Sequence, residues 1–387
     1  MQILPEFLVR VTPPQTPVLV IRRAALEANI AAMQAACDAA GVRLRAHGKM
    51  HKCSELGQAQ VAAGAVGLCC QTVGEAEVYA RAGIGDVLVT APVPPWGWSR
   101  LKALAAGGTQ VGAVVDSAAQ LAQAEGSGLT LYVDVNLGQH RAGVTPEEAP
   151  ALAAAIVATP GVSYGGVQAY CGHVQHQLPE ARRATNDAAT ARLKALVAAL
   201  TDAGLAPPQV TGGGTGSYAY DLAGGVFTEL QAGSYALMDV EYGDCGGPEG
   251  DWPFQPALFI AATVVSARHR AFVTSDAGLK AVHTNGPPPR VVAGALPGSL
   301  WRSFGDEHGG ILHPAFLQQL RDAKDPVAVV DAIDAEGPLP ADAPAEGSLV
   351  WLQPGHVDPT VALHDAYFVA DEDGRLERWA VDARRTS

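Results

Sequence analysis

Val42-Arg43-Leu44-Arg45-Ala46-His47-Gly48-Lys49 is a short strand-like run that ends in glycine and lysine, and it is the first of eight. The others lie near 66–71, 86–90, 110–115, 130–136, 163–170, 208–211 and 226–232. The segments between them carry a helical period. Leu26, Ile30, Met33 and Cys37 recur at i, i+4, i+7 and i+11, and Leu193, Leu196, Val197 and Leu200 do the same ahead of Gly204. Strand and helix alternating over about 190 residues predict right-handed βαβ units in a parallel sheet. Eight such units fit a closed (β/α)8 barrel, with an open doubly wound sheet as the alternative. The expected barrel spans 22–243.

After residue 243 the texture changes. Gly243-Asp244-Cys245-Gly246-Gly247-Pro248-Glu249-Gly250 is too turn-rich for a regular element. Beyond it come strand-like runs at 257–266, 271–274, 289–294, 348–352, 361–370 and 376–381, with few helices. Residues 335–347 form a Pro-rich loop among them. Residues 1–21 and 244–387 are therefore expected to form a β-rich second domain.

Composition narrows the partners. Of the 387 residues 48% are hydrophobic and 17% charged, a globular balance. A net charge of -13 disfavours nucleic acid and leaves no polybasic membrane patch. The six cysteines show no zinc spacing and no CxxC pair, which predicts a reduced, cytoplasmic protein with free thiols. No secretory leader is visible, and no apolar run has the length of a membrane span.

In a barrel of this kind the reactive groups lie in loops after the strands' C-terminal ends. The first strand ends in Lys49. Loss of hydration between apolar walls makes such an amine nucleophilic, whereas Lys52 next door reads as a surface lysine. Strand five enters Gly138-Gln139-His140-Arg141-Ala142-Gly143, and strand six ends in Tyr170-Cys171-Gly172-His173-Val174-Gln175-His176. Strand seven enters Gly212-Gly213-Gly214-Thr215-Gly216-Ser217 and strand eight Gly233-Ser234-Tyr235. Loops after the last two strands commonly bind phosphate, and glycines let backbone amides crowd round it. A strand-end lysine opposite two phosphate turns suits a phosphorylated aldehyde, which points to pyridoxal phosphate. Near the C-terminus, Pro354-Gly355-His356-Val357-Asp358-Pro359 places imidazole and carboxylate two residues apart. In an extended segment both would face one side and could share a divalent cation.

These segments together resemble the D-threonine aldolase and D-3-hydroxyaspartate aldolase group of the alanine-racemase-like (fold type III) pyridoxal-phosphate enzymes. The matching stretches run in order through nearly the whole chain. They include HGKMHKC at 47–53, GxxRxGV at 138–144, QAYxGxVQH at 168–176, GGGTGS at 212–217, LQAGSYxxMD at 230–239 and HVDPT at 356–360. The resemblance implies that Lys49 carries the cofactor as a Schiff base, with Arg141 facing its phenolic oxygen and Tyr170 close to the ring. It implies that Gly214, Thr215, Gly233, Ser234 and Tyr235 hold the phosphate, and that Gln231 stands against the ring nitrogen. His356 and Asp358 would bind manganese or magnesium, ahead of zinc, and His176 would position or deprotonate a metal-bound water. A homodimer is implied as well.

The implied reaction is retro-aldol cleavage of a D-3-hydroxy amino acid to glycine and an aldehyde. Dehydratase relatives tend to present cysteine where this chain has Asp358, which favours the aldolases. The alternatives are a D-serine or D-threo-3-hydroxyaspartate dehydratase, a non-catalytic pyridoxal-phosphate carrier and a racemase. Two positions depart from the group's pattern: Ala362, where many relatives have asparagine, and His140 beside the arginine.

Overall fold

In the computed structural model, which describes residues 3–248 and 250–384, the chain forms two compact units. One comprises Ala28–Ala236, Cys245–Phe254 and the segment from Asp382; the other comprises the segment up to Glu27, Leu237–Asp244 and Gln255–Val381.

In the second of these, helix Ile3–Arg10 precedes the first strand, β1 (Val18–Arg22). The barrel unit then contributes β2 (Arg43–Leu44), β3 (Ala46–His47), β4 (Leu68–Cys70), β5 (Asp86–Val89) and β6 (Gln110–Val115). It continues with β7 (Thr130–Asp134), β8 (Ser163–Ala169), β9 (Gln209–Gly212) and β10 (Glu229–Leu230). All pairings among β2–β10 are parallel, in the order β2-β10-β9-β8-β7-β6-β5-β4-β3. The two ends of that order belong to one stretch, 43–47. Arg45 and His47 donate their amides to Leu230 and Ala232 on one side, while Leu44 accepts from Val66 and Gly48 donates to Cys69 on the other. The parallel sheet therefore returns to itself, as an eight-stranded barrel whose first strand is split.

Arg45 stands at the split. Its guanidinium, side chain 4% exposed, reaches Asp86 through two bonds of 2.7 and 3.0 Å and Glu229 through Nε at 2.9 Å. A bidentate pair of this kind offsets the large penalty of burying a charge. Elsewhere the strands are apolar runs buried on both faces, and Cys69, Leu88, Val114 and Tyr132 pack as one cluster. Each such side chain contributes about 1.5–3 kcal/mol by leaving water. The predicted helical faces are buried too: Leu26, Ile30, Met33 and Cys37 line helix Arg23–Ala40, and Leu193, Leu196 and Leu200 line Pro179–Asp202.

The other unit is antiparallel apart from one pairing. β11 (Leu258–His269), β12 (Phe272–Ser275), β13 (Arg290–Ala293), β14 (Leu300–Ser303), β15 (Gly309–Leu312) and β16 (Leu349–Gln353) form a closed ring. The ring closes because the 12-residue β11 pairs with both β16 and β12, with register shifts between Val264 and His269 that let it bend. β1, β17 (Ala366–Ala370) and β18 (Leu376–Ala380) extend the sheet, β1 and β17 being parallel. The sequence reading of this region needs correction in places. β14 and β15 escaped it, since Gly309-Gly310 resembles a turn. Two helices, Leu317–Asp322 and Pro326–Ala335, lie in the stretch between the runs at 289–294 and 348–352, where no element was read. Among the described residues no helix is long and apolar enough to cross a membrane, and all six cysteines are buried and free.

Candidate active site

The turn that carries Lys49 is built from two histidines used in the same way. His47 Nδ1 accepts the amide of Lys49 (3.4 Å), and His51 Nδ1 accepts the amide of Cys53 (3.1 Å). Each ring's Nε2 meets a buried neighbour, His47 on Thr90 Oγ1 (3.1 Å) and His51 on Gln60 Oε1 (3.2 Å). Thr90 gives its hydroxyl proton to the carbonyl of Cys70 (3.1 Å), so its oxygen must accept from His47. That fixes the proton of His47 on Nε2.

Gly48 sits under Tyr79, whose hydroxyl donates to the Gly48 carbonyl at 2.7 Å; a Cβ at residue 48 would lie 2.6 Å from the ring. Lys52 is not a surface lysine. Its ammonium pairs with the buried carboxylate of Glu75, which also takes the amide of Gln71 at 2.6 Å. Below the turn, Asp382 accepts from the amide and hydroxyl of Ser54 (3.1 and 2.6 Å), and the Ala383 amide donates to the Lys52 carbonyl (3.0 Å). Lys49, half-buried, projects from a turn supported on every side.

The two glycine-rich turns are tied together and to the lysine strand. Tyr235 donates its amide to Thr215 Oγ1 at 3.0 Å, and a Cβ on Gly233 would lie 3.0 Å from the His47 carbonyl. The first turn is held from beneath by Gln175, which accepts the Gly216 amide (2.8 Å) and donates to Ser217 Oγ (2.9 Å). Ser217 in turn donates to Asp221 (2.6 Å). A Cβ at 216 would lie 2.0 Å from the Gln175 carbonyl, and Gly213 adopts φ +70°, so glycine is required at both positions. Among the described residues the amides of Thr215, Gly233 and Ser234 have no acceptor. Three such amides in two joined turns beside a lysine fit a phosphoryl group with an aldehyde within reach of the amine. Asp221 is wholly buried. Loss of hydration lifts its carboxyl from 3.8 to about 6, against the pull of the Ser217 hydroxyl and the Gly214 amide.

The Tyr235 ring is buried and its hydroxyl accepts from Gln60 Nε2 (3.0 Å), the residue that also meets His51. Gln231 is buried too, donating to Thr211 Oγ1 (2.9 Å) and Gln168 Oε1 (3.2 Å).

Arg141 lies in a loop organised by one side chain. Asn136 Oδ1 accepts from the amides of Gly138 (2.9 Å) and His140 (3.1 Å), holding His140 at φ +55°. Asp116 takes the Gly143 amide at 3.1 Å. The Arg141 guanidinium then lies over the Tyr170 ring, 5.7 Å from its centroid, and Gln139, with its amide oxygen and nitrogen exchanged to suit these neighbours, bridges Arg141 Nη1 (3.3 Å) and the Tyr170 carbonyl (3.2 Å). Asp134, at the end of β7, is pushed up to about 6, first by burial and then by the charge of Asp116, with the Gln168 bond opposing. His176 is exposed, past the short helix Gly172–Val174.

His356 and Asp358 belong to the other unit. They do not share a strand as expected: Val357–Val361 is a helix, with His356 extended at its cap and Asp358 in its first turn. The pair still converges, Nε2 to Oδ2 at 3.7 Å, and Glu241 Oε2 approaches His356 Nδ1 at 3.6 Å. Asp239 sets this corner by accepting the amides of Val357 (3.0 Å) and Tyr242 (2.9 Å). Burial first, then the nearby carboxylates Asp358 and Glu241, lift Asp239 to about 7. Among the described residues no group of three His, Cys, Asp or Glu side chains stands ready to hold an ion. One imidazole with carboxylates is nonetheless a donor set that divalent cations accept, with water completing the shell.

Sequence reasoning gave no role to Glu75, Gln175, Asp221, Glu241 and Asp382, although Gln175 lies within the quoted stretch at 168–176. Each acts on a segment remote in sequence or on one turn of loop.

Comparison with known proteins gives consistent findings. Residues 21–240 match the family model described as alanine racemase, N-terminal domain, and 257–370 match a putative serine dehydratase domain. D-threonine aldolase of an Arthrobacter species is 39% identical over 382 residues, covering 95% of this chain and 92% of that protein. 3-Hydroxy-D-aspartate aldolase of Paracoccus denitrificans (strain Pd 1222) is 39% identical over 387 residues, covering 96% and 92%. The crystal structure of D-threonine aldolase from Filomicrobium marinum superposes with a TM-score of 0.84 at 33% identity, covering 96% of each chain.

Proposed function

Since this chain belongs to the alanine racemase N-terminal-domain family, we propose that it is a pyridoxal-phosphate-dependent carbon–carbon lyase. In this reading it cleaves D-3-hydroxy amino acids to glycine and an aldehyde. The observation that carries the reading is the turn at Lys49, fixed beside two joined glycine turns with three available amides. Full-length similarity to two aldolases supports it.

When bound, the cofactor supplies an aldehyde for amines and an electron-accepting ring. Lys49 would hold that aldehyde, give way to the substrate amine and return a proton to Cα after the bond breaks. The amides of Thr215, Gly233 and Ser234, in turns that Gly214 and Tyr235 help to shape, would hold the phosphate, while Arg141 would face the phenolic oxygen and Tyr170 border the ring. Gln231 would stand against the ring nitrogen. A manganese or magnesium ion on His356 and Asp358 would supply Lewis-acid chemistry to the substrate hydroxyl. His176 would take the hydroxyl proton. The protein would work in the cytoplasm as a homodimer, in keeping with its free thiols.

Product analysis tests this. D-threonine, D-phenylserine and D-3-hydroxyaspartate should each be assayed for glycine against keto acid and ammonia, with and without EDTA and manganese. Glycine plus aldehyde is expected; keto acid and ammonia would move the assignment to a dehydratase. The match of 257–370 to a putative serine dehydratase domain is what keeps that second reading in play.

A further inference from the structure

We propose that Gln231 meets the cofactor ring as an acceptor only, and that the ring nitrogen is therefore bound in its protonated form. The inference rests on the function proposed above and adds an electronic property to it.

The two ends of a glutamine amide are alike in size, so its orientation must be argued from what surrounds it. Gln231 has two such neighbours, and both are anchored on groups that only accept. Thr211 donates its hydroxyl proton to Glu229 Oε1 (2.9 Å), an oxygen that also takes Arg45 Nε (2.9 Å). The Thr211 oxygen is thus left to accept, and it does so from Gln231 Nε2. On the other side, Gln168 directs its amide nitrogen to the backbone carbonyl of Thr90 (3.0 Å) and to Asp134 Oδ1 (3.1 Å). That turns the Gln168 oxygen toward Gln231, where it takes the second N–H. Reversing Gln231 would set its oxygen against two oxygens that have no proton to offer. The orientation is locked from both ends.

Both N–H groups of Gln231 are therefore committed inside the barrel, and among the described residues its Oε1 has no partner. A neutral pyridine nitrogen presents a lone pair, which a carbonyl oxygen repels. A pyridinium N–H donates to it. The lock thereby selects the protonated ring, the stronger electron acceptor. Thr211 and Gln168 are positioning residues in this scheme, since they act only through Gln231.

The test is 15N NMR of the holoenzyme reconstituted with pyridoxal phosphate labelled at the ring nitrogen. The expected resonance lies in the pyridinium range and does not titrate across neutral pH. Gln231→Arg, which offers only donors, should move it to the neutral-pyridine range. A wild-type resonance in the neutral range, or one that titrates, overturns the inference while leaving the cofactor assignment intact. Failure to retain the label, or to trap it on Lys49 with borohydride, overturns both.

Discussion

The turn at Lys49 and the segment at His356–Asp358 sit at the centre of the proposed chemistry, yet they are built on different principles. Around Lys49 both histidine rings, Tyr79, Lys52 and Ser54 all have fixed partners at hydrogen-bond distance. At the other segment, imidazole and carboxylates approach only to 3.6–3.7 Å, beyond direct hydrogen-bonding range. The first arrangement is preorganised and does not need a ligand to define it. The second sets the carboxylates of Glu241 and Asp358 against one imidazole, and a cation would relieve their mutual repulsion. Removing a group from the first should abolish a covalent link; removing one from the second should leave that link and lose only the ion's contribution.

Lys49→Ala is the sharpest way to break the contrast. Turnover should fall by on the order of 10³-fold or more, as for other covalent-catalysis nucleophiles. Borohydride reduction followed by peptide mapping should find no pyridoxyl label at residue 49. Retained turnover with a label elsewhere would remove the basis of the mechanism.

His356→Ala, or chelation, probes the other half. Activity should drop by roughly 10²–10³-fold, the range expected for losing a Lewis acid. The cofactor's absorbance and its link to Lys49 should be unchanged. Loss of cofactor together with activity would show that the two segments are not separable in this way.

The contrast also shows which parts of the molecule are legible in sequence. The barrel strands are, because runs such as Gln110–Val115 and Thr130–Asp134 are apolar and bounded by turn residues. The Lys49 turn and both glycine-rich turns are, because each is marked by adjacent residues. The corner at 356–361 is not. His-x-Asp has the same spacing on a strand and at a helix start, and the choice is made by Asp239, more than a hundred positions away, capping the Val357 amide. Arg45 is hidden for the same reason: an arginine inside a strand suggests solvent, and only Asp86 and Glu229 make burial tolerable.

The smallest expected effect concerns Asp221, beneath the first glycine turn. Its carboxyl titrates near 6 in the fold against 3.8 unfolded, so the native state holds the proton more tightly. Native stability should therefore fall as pH rises from about 4 to 6, by on the order of 3 kcal/mol, and then level off. Asp221→Asn removes that dependence. Urea midpoints of the two proteins should diverge across this window, the wild type losing ground as pH rises. Parallel curves, or the opposite slope, would show that burial does not raise the Asp221 carboxyl.

The support given by Asp382 to Ser54 spans 328 positions. Contacts so distant in the chain form late, because a long loop must close before they contribute. A newly made polypeptide can assemble its β/α cylinder while the footing of the Lys49 turn is still incomplete. Competence to capture the coenzyme would then mark the finish of folding, so tags or truncations beyond residue 381 would be felt at Lys49.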